Sequence, residues 1–317
     1  MDVRRAYIGV VLASALVVAF ESVAIEGALR TADLNIFLVS SMPSIIGGAI
    51  LLGLFPKSSI ECVRRLGARG WGSMTVLCCI VAAGVFMWFD SVGRIGASKE
   101  AILGGGSSEV LFVVMLSAIF LGERLQRWEI LGGFMIIIGV FLVLANADTL
   151  SFTLGLGEME ALSSSFLLAV SIVMITVLLK SYNLTAISGL ELLISGLFLI
   201  VFGSVLGLIK WPDTNGLLLL VALGAFPAVG LLTYNAGLPK IGASLTSVLF
   251  ALNGILTVGV QLLVLLLFPD ADIKLPEILG LALLGGVIAF AGVYLLNRES
   301  GVNVTKGTGL RGAEGEI

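Results

Sequence analysis

The chain has 317 residues, 58% of them hydrophobic and only 12% charged, with a mean hydropathy of +1.12. A soluble domain carries about 25% charged residues, so the composition points to a multi-spanning membrane protein. The net charge of −3 comes with no basic patch, which argues against a nucleic-acid partner.

A bilayer-spanning helix needs about 20 mostly apolar residues. Breaking the chain at charges and turn residues predicts ten: 7–29, 35–55, 71–92, 98–121, 128–146, 158–180, 187–209, 216–236, 243–268 and 276–296. The first follows Arg4 and Arg5 and reads as a membrane helix rather than a cleaved signal, because nine spans follow it. It carries Glu21 and Glu26, five residues apart and so about 140° apart on a helix. The two cannot face one spot, and Glu21, the deeper, is the candidate for a cavity wall. Glu26 is expected at the interface. Asn35 is a weak candidate at the start of span two, and Pro43 within it is a predicted kink.

The connection 56–70, "PKSSIECVRRLGARG", reads as a basic loop. Span three holds Cys78 and Cys79, which with Cys62 read as small buried hydrophobes rather than a disulfide or metal set. Trp88 is expected in an interfacial belt, as is Trp211 further on. Asp90 and Arg94 sit four apart and predict a helical ion pair.

Span four is unusual. "IGASKEAILGGGSSEVL" at 95–111 places Lys99, Glu100, Gly104, Gly105, Gly106 and Glu109 in one segment. Lys99 and Glu100 are expected near the outer surface, lining a vestibule or reaching for the headgroups. Glu109 falls about 16 Å down the helix at 1.5 Å per residue, near mid-bilayer. A carboxylate there must be paired or protonated, and is a functional candidate by default. It can bind a cation, carry a proton, or simply bridge two helices. Three glycines would weaken an isolated helix by about 1 kcal/mol each. They read either as a close helix contact or as a helix break at the site. In the later spans, Glu191 reads as vestibule or headgroup contact. Pro227 is a predicted kink in span eight, and Tyr234 and Asn235 are weaker binding candidates. Asn253, followed by Gly254, is the mid-span polar counterpart of Glu109 in span nine.

With the N-terminus cytoplasmic, 13 of the Lys and Arg residues fall on the inner side and 4 on the outer, with Lys99 inside a span. The positive-inside rule therefore predicts both termini in the cytoplasm, in the cell membrane. Residues from Arg298 onward are polar, glycine-rich and aperiodic, and read as a disordered tail.

The sequence repeats itself. "RIGAS" at 94–98 recurs as "KIGAS" at 240–244, an offset of 146 residues. "MWFDSVGRIGAS" corresponds to "TYNAGLPKIGAS", and "GVFLVLAN" at 139–146 to "GVYLLN" at 292–297. Five spans per copy is an odd number, so the second copy enters the membrane upside down. Inverted repeats belong to secondary transporters, whose sites lie where interrupted helices meet.

Span four, with Glu109 followed by "FLGERL" at 120–125 and "ILGGFMIIIGVFLVL" at 130–144, resembles the EamA-type transporters of the drug/metabolite transporter superfamily. Glu109 precedes Glu123 by 14 residues, at the family's Glu-Pro position, with Val110 in place of the proline. "GE" at 157–158 resembles the start of the family's second repeat. That repeat departs further, with Asn253 and Gly254 near the Glu-Pro position and "LLFPDAD" at 266–272 in place of Leu-Gly-Glu. The resemblance implies an all-α integral membrane protein with ten transmembrane helices, as two inverted five-helix repeats around a central cavity. Residues 1–150 form one repeat, 151–297 the second, and 298–317 the tail.

The expected function is a secondary transporter that exports a small metabolite or drug, such as an amino acid or an amine. It would work by alternating access, with proton coupling at Glu109 as one option. A passive channel-like or ion-permease pathway is the alternative. The absence of histidine, of Gly-x-Ser-x-Gly and of an aspartate-rich motif argues against an enzyme, and no P-loop supports ATP use. No cofactor or metal is expected. The expected partners are the solute, the lipid bilayer and protons, and a monomer suffices.

Overall fold

The computed structural model describes residues 3–30, 32–121, 127–144, 154–241, 243–276 and 278–297. Glu123 and Arg124, the 150/151 boundary and the tail from Arg298 lie outside them. Among the described residues every regular element is a helix. In chain order these are α1 (Val3–Arg30), α2 (Ile36–Leu54), α3 (Pro56–Arg65), α4 (Ala68–Ile95) and α5 (Ala97–Leu103). A π-helical turn (Gly104–Ser108) leads into α6 (Glu109–Leu121) and then α7 (Arg127–Leu144). The second part holds α8 (Leu156–Leu178), α9 (Leu184–Val205), α10 (Thr214–Leu223), α11 (Ala225–Ile241), α12 (Ala243–Phe250), α13 (Asn253–Leu267) and α14 (Leu279–Asn297). Among the described residues, six segments are long and apolar enough to cross a bilayer: Arg5–Arg30, Ile36–Leu54, Ala68–Ile95, Leu156–Leu178, Leu184–Val205 and Thr214–Ile241. Apolar side chains such as Phe120, Phe134, Phe141, Val201 and Leu266 are exposed around them, as a lipid-facing surface requires.

Side-chain caps fix several helix starts. Asn35 accepts from Phe37 N at 3.1 Å and opens α2, so this residue serves the helix end. Asn183 caps α9 through Thr185 N at 3.0 Å, and Asp213 caps α10 through Gly216 N at 2.8 Å. The stretch expected as a loop at 56–70 contains a helix, α3. Pro56 sits in its first turn, where its missing N–H costs nothing, and Arg64 and Arg65 sit in its last turn, facing the negative end of the helix dipole.

Helix pairs pack through glycine. A Cβ on Gly48 of α2 would fall 2.5 Å from Leu193 N, and one on Gly196 of α9 would fall 2.8 Å from Ser41 O. In α7 and α14 the approach is reciprocal: a Cβ on Gly139 would lie 2.5 Å from Gly285 O, and one on Gly285 would lie 2.6 Å from Gly139 O. Backbones this close are the reason small residues recur in membrane helices. Cys62 and Cys78 are buried, as the sequence suggests, but Cys79 is exposed, since neighbours on a helix point about 100° apart.

The predicted kinks resolve differently. Pro43 is buried inside α2, which continues through it from Ile36 to Leu54. Pro227 lies in the first turn of α11, one turn after α10 ends at Leu223. Its missing N–H removes the helical partner of the Leu223 carbonyl, which is the physical reason for a break there. Gly224 occupies the break pressed against Ile46, whose Cγ2 would lie 2.5 Å from an added Cβ.

Candidate functional site

The glycine run does not open the helix. It widens one turn into a π turn, in which Glu109 N–H reaches back to Gly104 O. The carbonyls loosened by that change find serines: Ser107 Oγ donates to Ile102 O and Ser108 Oγ to Leu103 O, both at 2.6 Å. Single π turns mark functional sites often enough to direct attention here. Two of the three glycines have a steric reason. A Cβ on Gly104 would fall 2.5 Å from Glu100 Oε1, and one on Gly106 would fall 2.8 Å from Ala101 O and 3.1 Å from Ala251 O. Gly105 is roomier and borders the cavity. On the facing segment, Gly254 brings the start of α13 against Ala101 and Ile102, with Ala101 O at 3.1 Å from an added Cβ.

This junction borders a cavity of about 160 Å³ between α1, α2, α4, α5, α6, α8, α9, α11, α12 and α13. Its walls are largely apolar, from Val81, Val85, Leu168, Ile172, Ile175 and Leu231, with Trp88, Phe89, Tyr234 and Phe250 supplying rings. Four carboxylic side chains line it: Glu21, Glu100, Glu109 and Glu191, each at most 5% exposed. Glu109, Glu21, Asn253, Tyr234 and Asn235, singled out from the sequence, are thus brought together. Asn253 is held by Thr257, whose Oγ1 lies 3.1 Å from Asn253 Oδ1. Tyr234 Oη is 3.1 Å from Ser247 Oγ, and Asn235 Nδ2 donates to Ser188 Oγ at 2.9 Å. Pro227 and Gly105 also line the cavity, whereas Gly104, Gly106, Gly254 and Pro43 do not.

Three placements differ from expectation. Glu100 is not near a surface; it is 2% exposed and accepts from Trp88 Nε1 at 2.8 Å. Trp88 accordingly leaves the interfacial belt for the cavity wall. The cause is the α4–α5 connection. It consists of Gly96 alone, at φ 89°, so the chain is already returning to the interior by Ala97, itself fully buried. Of the two readings of Glu191, vestibule or headgroup contact, the first is nearer: it lines the cavity, and its Oε2 is buried with no hydrogen-bond partner among the described residues. Glu26 is fully buried rather than interfacial, and accepts from Ala97 N at 3.0 Å, Lys274 N at 2.7 Å and Gln261 Nε2 at 2.6 Å.

Lys99 does not reach the cavity. Its Nζ pairs with Glu158 Oε1 at 2.7 Å, tying α5 to α8. The Asp90–Arg94 pair forms at 2.9 Å, and Arg94 also meets Glu160 at 3.1 Å. With side chains 17% and 10% exposed, the Lys99–Glu158 pair lies between surface and buried limits. Lys99→Met is expected to cost on the order of 1–3 kcal/mol, and Lys99→Met with Glu158→Leu to recover part of it. Thermal unfolding in detergent reads both; a double variant no more stable than the single would refute the pairing.

Residues 5–145 match the EamA-like transporter family. Its first half is EamA-like. The match, with the long apolar helices, supports a multi-pass membrane protein whose first part is similar to transporters of small solutes. No curated protein matches it. A solved structure titled "Crystal structure of protein" is similar in fold, with 19% sequence identity and a TM-score of 0.60, covering 89% of this chain and 96% of that one. At that identity the likeness concerns fold alone. In the EamA-like half the match takes in α1 through α7, and with them Glu21, Glu100, Glu109 and the π turn.

Proposed function

We propose that the chain is a secondary transporter of the cell membrane, exporting a small metabolite or drug, such as an amino acid or amine, by alternating access. Ten spans make up two inverted halves, 1–150 and 151–297, with 298–317 as a cytoplasmic tail and both termini cytoplasmic. The first half contributes α1, α2, α4, the interrupted α5–α6 and α7. The second contributes α8, α9, the interrupted α10–α11, the interrupted α12–α13 and α14.

The helix pairing supports this reading. A two-fold relation between halves requires equivalent helices either to pair with each other or to form matched exchanges. The main pairs include α2 with α9 and α7 with α14, each a helix with its own counterpart, and α5 with α13, which is matched by α12 with α6. The remaining two, α4 with α8 and α11 with α1, are exchanges of each other. The 146-residue offset relates Trp88 to Tyr234 and Gly139 to Gly285, and it carries the π turn onto 250–254, where α12 gives way to α13.

The observation that carries the function is Glu109. It is 5% exposed and lines a largely apolar cavity at the point where two interrupted helices meet. A carboxyl so placed is neutral when protonated and costly when charged, which suits a group that takes up and releases a coupled proton. Halves rocking about the cavity would expose it to each side in turn. The test is uptake into proteoliposomes under an imposed pH gradient. Wild-type flux should follow the gradient, and Glu109→Gln should fall to the level of empty liposomes while still allowing solute exchange. Unchanged gradient-driven flux in Glu109→Gln would sink the coupling role. Flux that neither saturates nor shows counter-transport would favour a channel-like pathway.

A further inference from the structure

We propose that the cargo is an organic cation with an apolar body, rather than an amino acid or an anion; the proposal rests on the transporter reading above. The cavity is one-sided in charge. Glu21, Glu100, Glu109 and Glu191 reach it from four different helices, and among the described residues no lysine or arginine lines it. Lys99, the basic side chain carried by the same span, is withdrawn into its pair with Glu158 at 2.7 Å. A solute carboxylate would find no cationic partner here.

A buried acceptor, by contrast, awaits a donor. Glu191 lines the cavity beside Asn235, and its Oε2 is buried with no hydrogen-bond partner among the described residues. An unpaired polar atom in an apolar setting is costly, and a ligand ammonium would relieve that cost with a charge-assisted bond. The rings of Trp88, Tyr234 and Phe250 share the same wall. Aromatic faces attract cations and cover apolar bodies, and both properties match an alkyl or aryl amine. Trp88 spends its own N–H on Glu100 at 2.8 Å, so that carboxyl is fixed in place and the indole presents only its apolar surface to a ligand.

The test compares three probes that share a phenyl ring and differ in charge: phenethylamine, phenylalanine and phenylacetate. Binding to the purified full-length chain is measured by calorimetry, and exchange by counterflow in proteoliposomes. Phenethylamine should bind at least about tenfold more tightly than the other two, a difference of about 1.4 kcal/mol. Glu191→Gln should weaken it by a similar factor, and Glu21→Gln gives a second reading if that variant fails to fold. Equal or tighter binding of phenylalanine or phenylacetate would overturn the assignment, as would unchanged amine binding in both folded variants or no amine binding at all. Counterflow of phenylalanine without phenethylamine would leave the transporter standing and remove only the cation.

Discussion

Replacing Glu26 with alanine is expected to loosen one whole end of the molecule. A single carboxylate there accepts from three donors on two other segments: Ala97 N at the start of α5, and Gln261 Nε2 and Lys274 N from α13 and the strand of chain that follows it. The same region is tied by Arg30, which meets Asp272 Oδ1 at 2.7 Å, and by Lys274 Nζ, which donates to Arg94 O at 3.0 Å. Gly96 fits beneath this chain so closely that a Cβ would fall 2.5 Å from Lys274 O. Each buried donor left without an acceptor costs about 1–3 kcal/mol. Three together, with Lys274 partly exposed, should cost several. The amides of Ala97 and Lys274 should exchange with deuterium far faster in Glu26→Ala, and the unfolding temperature in detergent should drop. Glu26→Gln retains one acceptor oxygen and should fall between. Amide exchange at both positions equal to wild type would show that the carboxylate does not hold this end together. If the halves rock, this latch must break whenever the cavity opens at this end, so the same variant should also change the balance between open states.

The second large effect concerns packing. Gly139→Leu should prevent α7 and α14 from docking, because the first added carbon already meets Gly285 O at 2.5 Å. Overfilling a packed contact costs about 1–3 kcal/mol, and more where backbone rather than a flexible side chain is in the way. Here both sides are backbone. The expected outcome is loss of monodisperse protein on size exclusion, or a sharp drop in unfolding temperature. Gly285→Leu should behave the same, since the contact is reciprocal. Gly53→Leu serves as the control, because nothing lies within 4 Å of a Cβ there. If Gly139→Leu purified as well as Gly53→Leu, the close backbone approach would be refuted.

The sequence alone determined the membrane character, the apolar segments and the candidates Glu21, Glu109, Asn253, Tyr234 and Asn235. The reason is that hydropathy along a chain reports depth, and a carboxylate or amide far from either end of an apolar run has few ways to be tolerated. The 140° separation of Glu21 and Glu26 also read correctly that only one of them faces the cavity. What hydropathy does not report is azimuth, or where a helix begins relative to its neighbours. Glu100 looked superficial because it lies near the start of an expected span. Only the one-residue turn at Gly96, made possible by its positive φ, returns the chain inward soon enough to bury it. Glu191 and Trp88 joined the cavity for the same reason: their faces are chosen by the helices packed against them. The destination of Lys99 depended on Glu158, 59 residues away in sequence, and the fate of the glycine run on two serine hydroxyls and a facing backbone. Local pattern fixed which residues were too costly to be incidental, and tertiary packing decided which of them share one cavity.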